Sequence, residues 1–193
     1  MTAIIQKNDP VLRKVAKDVS AKQFGSEELL RIVSDMKKAL ASQEDGVAIA
    51  APQIGISLRI FVVAPRVFDI QTEIRNEKKG LPVEAKPDSS GAKPLVYINP
   101  TISKLSKKRR LVDEGCLSVR NYYGKVRRAE KATVFAFDEL GRKFSWGGVD
   151  LLAQIYQHEI DHLDGVLFVD KTEDLYYLPP QENRRPPKTR AHE

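Results

Sequence analysis

The sequence predicts an α+β fold, and three observations carry that prediction. Two segments place apolar residues at helical spacing. Two others are short apolar runs of strand type. A pair of β-rich runs, Ala132–Phe137 and Lys143–Trp146, flanks Asp138–Gly141 and reads as an antiparallel hairpin with a four-residue loop.

The first helix is expected from Ser26 to about Gln43. Ser26 suits an N-cap, and Glu27 and Glu28 suit the positive end of the helix dipole. Leu29, Val33, Met36 and Leu40 form one apolar stripe, and Asp45-Gly46 ends the helix. Leu58–Val63 and Leu95–Asn99 are the expected strands. Between them, Arg66 to Pro94 collects Gly80, Pro82, Pro87, Ser89, Ser90, Gly91 and Pro94 among charges, and reads as a long surface insertion without periodicity. The second helix is expected over Val149–Leu163, with Asp150 as N-cap and Gly165 as terminator. Its stripe runs Leu151, Ile155, His158, His162, so the two histidines face the core. After Leu178 the prolines 179, 180, 186 and 187 stand among polar residues. A single domain over residues 1–178 with a loosely attached tail over 179–193 is the expected organisation.

Composition narrows the function. The chain has 193 residues, enough for one domain with a sizeable core, and 41% of them are hydrophobic. The single cysteine, Cys116, excludes an internal disulfide and a zinc ribbon. No apolar run approaches the ~18 residues of a membrane span, so no membrane partner is expected. The first residues show neither a secretory signal nor a transit pattern, and a cytoplasmic location is the expectation. Thirty-two Lys and Arg against 26 Asp and Glu give a net charge of +6. The surplus concentrates at Lys104–Arg110 and between Arg120 and Lys131, which suits a phosphate-rich partner but also many basic enzymes.

The chemistry centres on His158-Glu159-Ile160-Asp161-His162. Residues i and i+4 stack on one helix face, so both imidazoles can reach one metal ion, and Glu159 stands where it can accept a proton from water. The competing reading is two buried histidines satisfied by backbone carbonyls. The core-facing stripe favours the metal. A catalytic site of this kind needs a third protein ligand. The extended metallopeptidase pattern would place a histidine at position 168, which is Phe168. A thermolysin-type glutamate would fall at Glu182, inside a proline-bounded segment that offers no helix face. His192 lies near the end of the tail. Cys116 remains as a candidate; as a thiolate it would suit iron, cobalt, nickel or zinc rather than magnesium or calcium. Gly115 before it would allow another backbone close approach. The small-residue segment Gly46–Gln53 reads as a tight path between a helix and a strand, and the Gln53 amide is a neutral donor of the kind that stabilises an oxyanion.

Three ordered segments, Gly46…Gln53, Glu114…Ser118 and Gln157…His162, resemble the peptide deformylase pattern G-x-G-x-A-A-P-Q, E-G-C-x-S and Q-H-E-x-D-H, and Asp9–Arg13 is similar too. The resemblance runs from about residue 4 to about 170. Ala48 departs from the family's second glycine, and Arg120 stands where Val-Pro commonly follows the serine. The resemblance implies antiparallel strands packed around the H-E-x-x-H helix. It implies hydrolysis of the N-formyl group from the initiator methionine of nascent polypeptides, releasing formate. It assigns Cys116, His158 and His162 to one divalent metal ion, Fe²⁺ foremost with Zn²⁺, Ni²⁺ or Co²⁺ as alternatives, and no organic cofactor. It makes Glu159 the general base and places Gln53 and the backbone N–H of Leu117 at the oxyanion. Substrate backbone would lie beside Val47–Ile49, including Ala48, and at Gly115, while Val47, Leu151, Ile155 and the His158 ring line a methionine pocket near Gln154. Ribosome association through Lys104–Arg110 is a further expectation. The alternatives are an H-E-x-x-H metallopeptidase and an RNA-binding protein with a structural metal; Glu159 and Gln53 argue against the latter, since structure needs neither.

Overall fold

The computed structural model describes residues 2–79 and 95–179. Its elements run α1 (Glu27–Ala41), β1 (Ala48–Ala50), β2 (Ile60–Val63), α2 (Arg66–Lys79), β3 (Leu95–Leu105), β4 (Arg109–Cys116), β5 (Val119–Ala129), β6 (Lys131–Phe137), β7 (Lys143–Val149), α3 (Asp150–Leu163) and β8 (Thr172–Tyr177). The strands form two sheets, one in the order β1-β2-β3-β6-β7 and one in the order β4-β5-β8, with every ladder antiparallel. The fold is α+β, as expected.

The larger sheet lies between two helices, and β2 shows why. Its four residues are all buried. Side chains alternate across a strand, so Phe61 and Val63 join the cluster containing Leu152, Tyr156 and Leu163 of α3, while Ile60 and Val62 join Leu29, Val33, Met36 and Leu40 of α1. A strand buried on both faces reads as an uninterrupted apolar run. Beneath α3, the ring of Phe61 stacks on Tyr97 at 4.5 Å, and the Tyr97 and Tyr156 hydroxyls meet at 2.8 Å. A third cluster, including Leu12, Val119, Val126, Leu167 and Phe168, ties the smaller sheet to the N-terminal segment.

The expected first helix is present, with Ser26 Oγ accepting from the Leu29 N–H at 3.2 Å. Four expectations need correction. Arg66–Lys79 is helical, not irregular. No Gly or Pro falls within it, and Val67 and Phe68 pack on the α3 cluster. The breakers that suggested a loop lie at 80–94, outside the described residues. The strand expected at Leu95–Asn99 continues to Leu105, through a register shift between Ile98 and Thr101 where Asn99 takes φ +48. The hairpin loop has five residues, 138–142, because Asp138 Oδ1 accepts from both the Leu140 and Arg142 N–H groups and draws Arg142 into the turn. Asp150 is the first helical residue of α3 rather than its cap; Val149 is the N-cap, and the Asp150 carboxylate pairs with Arg110 at 3.1 Å.

Gly165 does terminate α3. It adopts φ +75, and a Cβ there would come within 2.8 Å of the Arg13 carbonyl oxygen. Of the expected tail over 179–193, residues 180–193, with Glu182 and His192, lie outside the described residues.

Candidate active site

Strand β4 and helix α3 meet at the histidine pair. Cys116 ends β4, and its Sγ lies 3.1 Å from His162 Nε2. The His158 and His162 rings stand 4.9 Å apart, nearly perpendicular. One ligand atom from each of Cys116, His158 and His162 lies within 4.8 Å of the others. Phe168, at the position where a third histidine would extend the pattern, is buried and stacks 6.4 Å from the His158 ring.

The electrostatics suit a cation. Burial would raise the Cys116 thiol, but the charge of His162 and hydrogen bonds from both histidines outweigh it and bring the thiol down to about 5. Burial would lower His158, but contacts with Cys116 and Glu114 raise it well above the ordinary imidazole range. A sulfur and two imidazoles form a donor set that fits a borderline or soft divalent metal. Glu159 is buried, and burial pushes its carboxyl up to about 7 against the pull of the two histidines. Among the described residues, Glu159 Oε2 and His162 Nδ1 are buried polar atoms without a hydrogen-bond partner. Buried polar atoms ordinarily have one. Glu159 lines the cleft, so its free oxygen marks a place for a polar group that the chain itself does not supply.

Gln53 approaches from the 3₁₀ turn Ala51–Ile54. Its Oε1 accepts from the Ala50 N–H at 2.8 Å, which orients the amide so that Nε2 donates to Ser118 Oγ at 3.2 Å and to Cys116 Sγ at 3.4 Å. Leu117, between Cys116 and Ser118, lines the same cleft. The cleft has a volume of about 910 Å³, and its walls include Val47, Ala48, Gly115, Leu151, Ile155 and His158. Of the residues expected beside the substrate, Ile49 alone does not line the cleft: it is buried in the core with the apolar face of α1. Gln154 lines it too, with its amide donating to the Asp113 carbonyl at 2.8 Å. Within the chain, Gly115 makes room for the Tyr123 ring: a Cβ would come within 2.7 Å of it.

Sequence reasoning missed the residues behind the histidines. Glu114 Oε2 contacts His158 Nδ1 at 2.9 Å, and both Glu114 oxygens accept from Arg128, at 2.7 and 2.9 Å. Arg128 Nη1 continues to Asp161 at 2.6 Å. A signal existed: residues two apart share a strand face, so Glu114 had to lie beside Cys116.

An α+β scaffold that carries a cysteine and an H-E-x-x-H helix at the foot of one cleft defines a class, the metal-dependent hydrolases built on that helix. The polypeptide deformylase family model matches residues 1–176. A peptide deformylase of Microchaete diplosiphon is 37% identical over 170 residues, covering 88% of this chain and 78% of its own. The chloroplastic peptide deformylase 1A of Solanum lycopersicum is 36% identical over 171 residues, 89% of this chain and 59% of its own. The Met-Ala-Ser-bound crystal structure of class I type b peptide deformylase from Acinetobacter baumannii superimposes with a TM-score of 0.72 at 32% identity, covering 89% of this chain and 99% of that one. The chain belongs to the peptide deformylase family. It is an enzyme of that family, whose reaction is the metal-dependent removal of the formyl group from an N-terminal methionine. No helix among the described residues is long and apolar enough to cross a membrane.

Proposed function

We propose that Cys116, His158 and His162 hold one divalent ion, Fe²⁺ in the native enzyme, and that Glu159 is the general base for hydrolysis of N-formylmethionyl nascent peptides. The observation that carries the reading is the Cys–His–His cluster beside a buried carboxylate with a partnerless oxygen. When bound, the ion supplies Lewis-acid activation of water and of the formyl carbonyl. Glu159 accepts a proton from the attacking water, whose oxygen bonds to the formyl carbon. The Gln53 amide and the Leu117 backbone N–H donate to the oxyanion of the tetrahedral intermediate. As the C–N bond breaks, Glu159 returns the proton to the leaving nitrogen, giving formate and a free amine.

Strand β1 stands at the edge of its sheet among the described residues, which supports strand addition by the substrate beside Val47 and Ala48, with Gly115 lining the same cleft. Backbone pairing reads no side chains, as an enzyme for many nascent chains requires. Leu151 and Ile155 supply apolar surface for the methionine. The catalytic domain spans residues 1–178, and its compartment is the cytoplasm.

Formate release from formyl-Met-Ala-Ser, measured with Fe²⁺, Ni²⁺, Co²⁺ and Zn²⁺ forms of known metal content, tests the reading. Turnover that tracks the metal is expected. Full metal content after replacement of Cys116, His158 and His162 would overturn it.

The turn between β3 and β4 supports ribosome association. Lys108 pairs with Glu130 at 3.1 Å and Arg110 with Asp150 at 3.1 Å, whereas Lys104, Lys107 and Arg109 are exposed and in no ion pair among the described residues. Co-sedimentation with ribosomes should fall steeply as salt rises. Binding that persists after replacement of these charges would exclude this turn as the contact.

A further inference from the structure

Two arginines from distant parts of the chain converge on the turn between α1 and β1. Arg66, the first residue of α2, donates from Nη1 to the Glu44 carbonyl, and from Nη2 to the carbonyls of Gly46 and, at 3.1 Å, Gln43. Arg120 of β5 reaches the same turn from the other side. Its Nη1 lies 3.3 and 3.2 Å from the two Asp45 oxygens, and its Nη2 donates to Gln43 Oε1. Each residue from Gln43 to Gly46 is thus held by a guanidinium. A planar fork with five donors suits a cluster of acceptors in a way that an ammonium does not. Glu44, Asp45, Gly46 and Arg120 line the cleft beside Val47 and Ala48; Arg66 lies outside it. The Arg120–Asp45 pair also joins the two walls, since Arg120 follows the Cys116–Ser118 segment while Asp45 precedes β1.

Strand β1 has only three residues, and among the described residues one of its edges is unpaired. So short an edge takes its geometry from its flanks. We propose that Arg66 and Arg120 are positioning residues that pre-order the 43–46 turn, and with it the Val47–Ala48 backbone, for an extended formyl peptide. They set affinity for substrates long enough to pair with β1, not the rate of bond breaking. Order established before binding is not lost on binding, which is how pre-organisation strengthens association. The inference rests on the assignment of the β1 edge to substrate backbone.

The test compares N-formylmethionine amide, too short to pair along the strand, with formyl-Met-Ala-Ser, using metal-loaded enzyme of measured metal content. Wild type should show a lower KM for the tripeptide. Arg66→Met and Arg120→Met should each raise the tripeptide KM by about 5–10-fold while kcat changes by less than about twofold, so that the advantage of the longer substrate shrinks. Arg66→Lys should restore only part of it, because a single ammonium nitrogen cannot span the carbonyls that the two guanidinium nitrogens Nη1 and Nη2 divide between them. Asp45→Asn should act in the same direction as Arg120→Met. If Arg66→Met does not fold, the partly exposed Arg120–Asp45 pair carries the test. A tripeptide advantage retained in the variants, KM rising equally for both substrates, or kcat falling at constant KM would overturn the proposal alone. A wild-type enzyme that gains nothing from the tripeptide would overturn the assignment of the β1 edge and the proposal with it.

Discussion

Glu114 Oε2 lies 2.9 Å from Nδ1 of His158. The contact makes Nδ1 the donor and leaves Nε2 as the nitrogen that can bind a metal, so a strand residue determines how a helix residue presents its ring. Glu114 is able to do this as an anion. Burial would raise its carboxyl, but Arg128 and His158 outweigh burial and bring it to about 2.

Removing Arg128 should expose the cost of that arrangement. Its side chain is 5% exposed and that of Glu114 1%, so Arg128→Met strands a buried carboxylate. We expect a loss of about 3–5 kcal/mol in urea unfolding and weaker metal retention. Stability unchanged within error would mean that Glu114 finds water in place of the arginine.

Glu159→Ala should keep its metal and lose activity. A general base contributes roughly 10²–10⁴-fold, and a residue serving both proton transfers belongs at the upper end. Elemental analysis beside turnover checks this. Metal loss in the variant would make the carboxylate a ligand or a folding requirement.

Cys116 is half-buried, and the charge of His162 with hydrogen bonds from both histidines outweighs burial and lowers its thiol to about 5, which favours the thiolate at neutral pH. Thiolates oxidise to sulfenic and then sulfinic acid. Air should inactivate the Fe²⁺ form, Ni²⁺ should slow the loss, and mass spectrometry should find added oxygen on the Cys116 peptide. Cys116→Ser should bind metal weakly, because a neutral hydroxyl is a poor ligand. Full metal content and activity in the serine variant would remove Cys116 from the site.

The Tyr97–Tyr156 pair should make stability sensitive to alkali. Burial raises Tyr97 from 10.0 to about 12, only partly offset by its hydrogen bond to Tyr156, and burial also raises Tyr156. Above about pH 10 the unfolded chain releases these protons while the folded chain keeps them, so stability falls as pH rises. Tyr97 alone accounts for about 2–3 kcal/mol by pH 12. Replacing both tyrosines by Phe should flatten that limb at little cost at pH 7, whereas Tyr97→Phe alone strands the Tyr156 hydroxyl at about 1–3 kcal/mol. Unfolding curves at several pH values, read as differences from the double variant, decide it.

Local order was legible wherever a residue's role depends on its near neighbours in the chain. The stripe of α1, the Ser26 cap, the uninterrupted run of β2 and the i, i+4 histidines of α3 follow from periodicities of 3.6 and 2. Gln53, Cys116, Leu117, His158 and Glu159 line one cleft, and His162 is buried against Cys116, because three ordered segments fold onto one another there. What those periodicities could not show was partnership across the chain. Strands β4 and β5 are highly charged, and their pattern resembles a strand only once Arg128 is buried against Glu114. Helix α2 was obscured by the glycines and prolines that follow it. The choice of Glu114 for His158, of Tyr97 for Tyr156, and of Arg66 and Arg120 for the 43–46 turn was decided by tertiary structure alone. Each joins groups that chain spacing leaves unrelated, and a buried charge or hydroxyl takes its partner from whatever packing brings within hydrogen-bond reach.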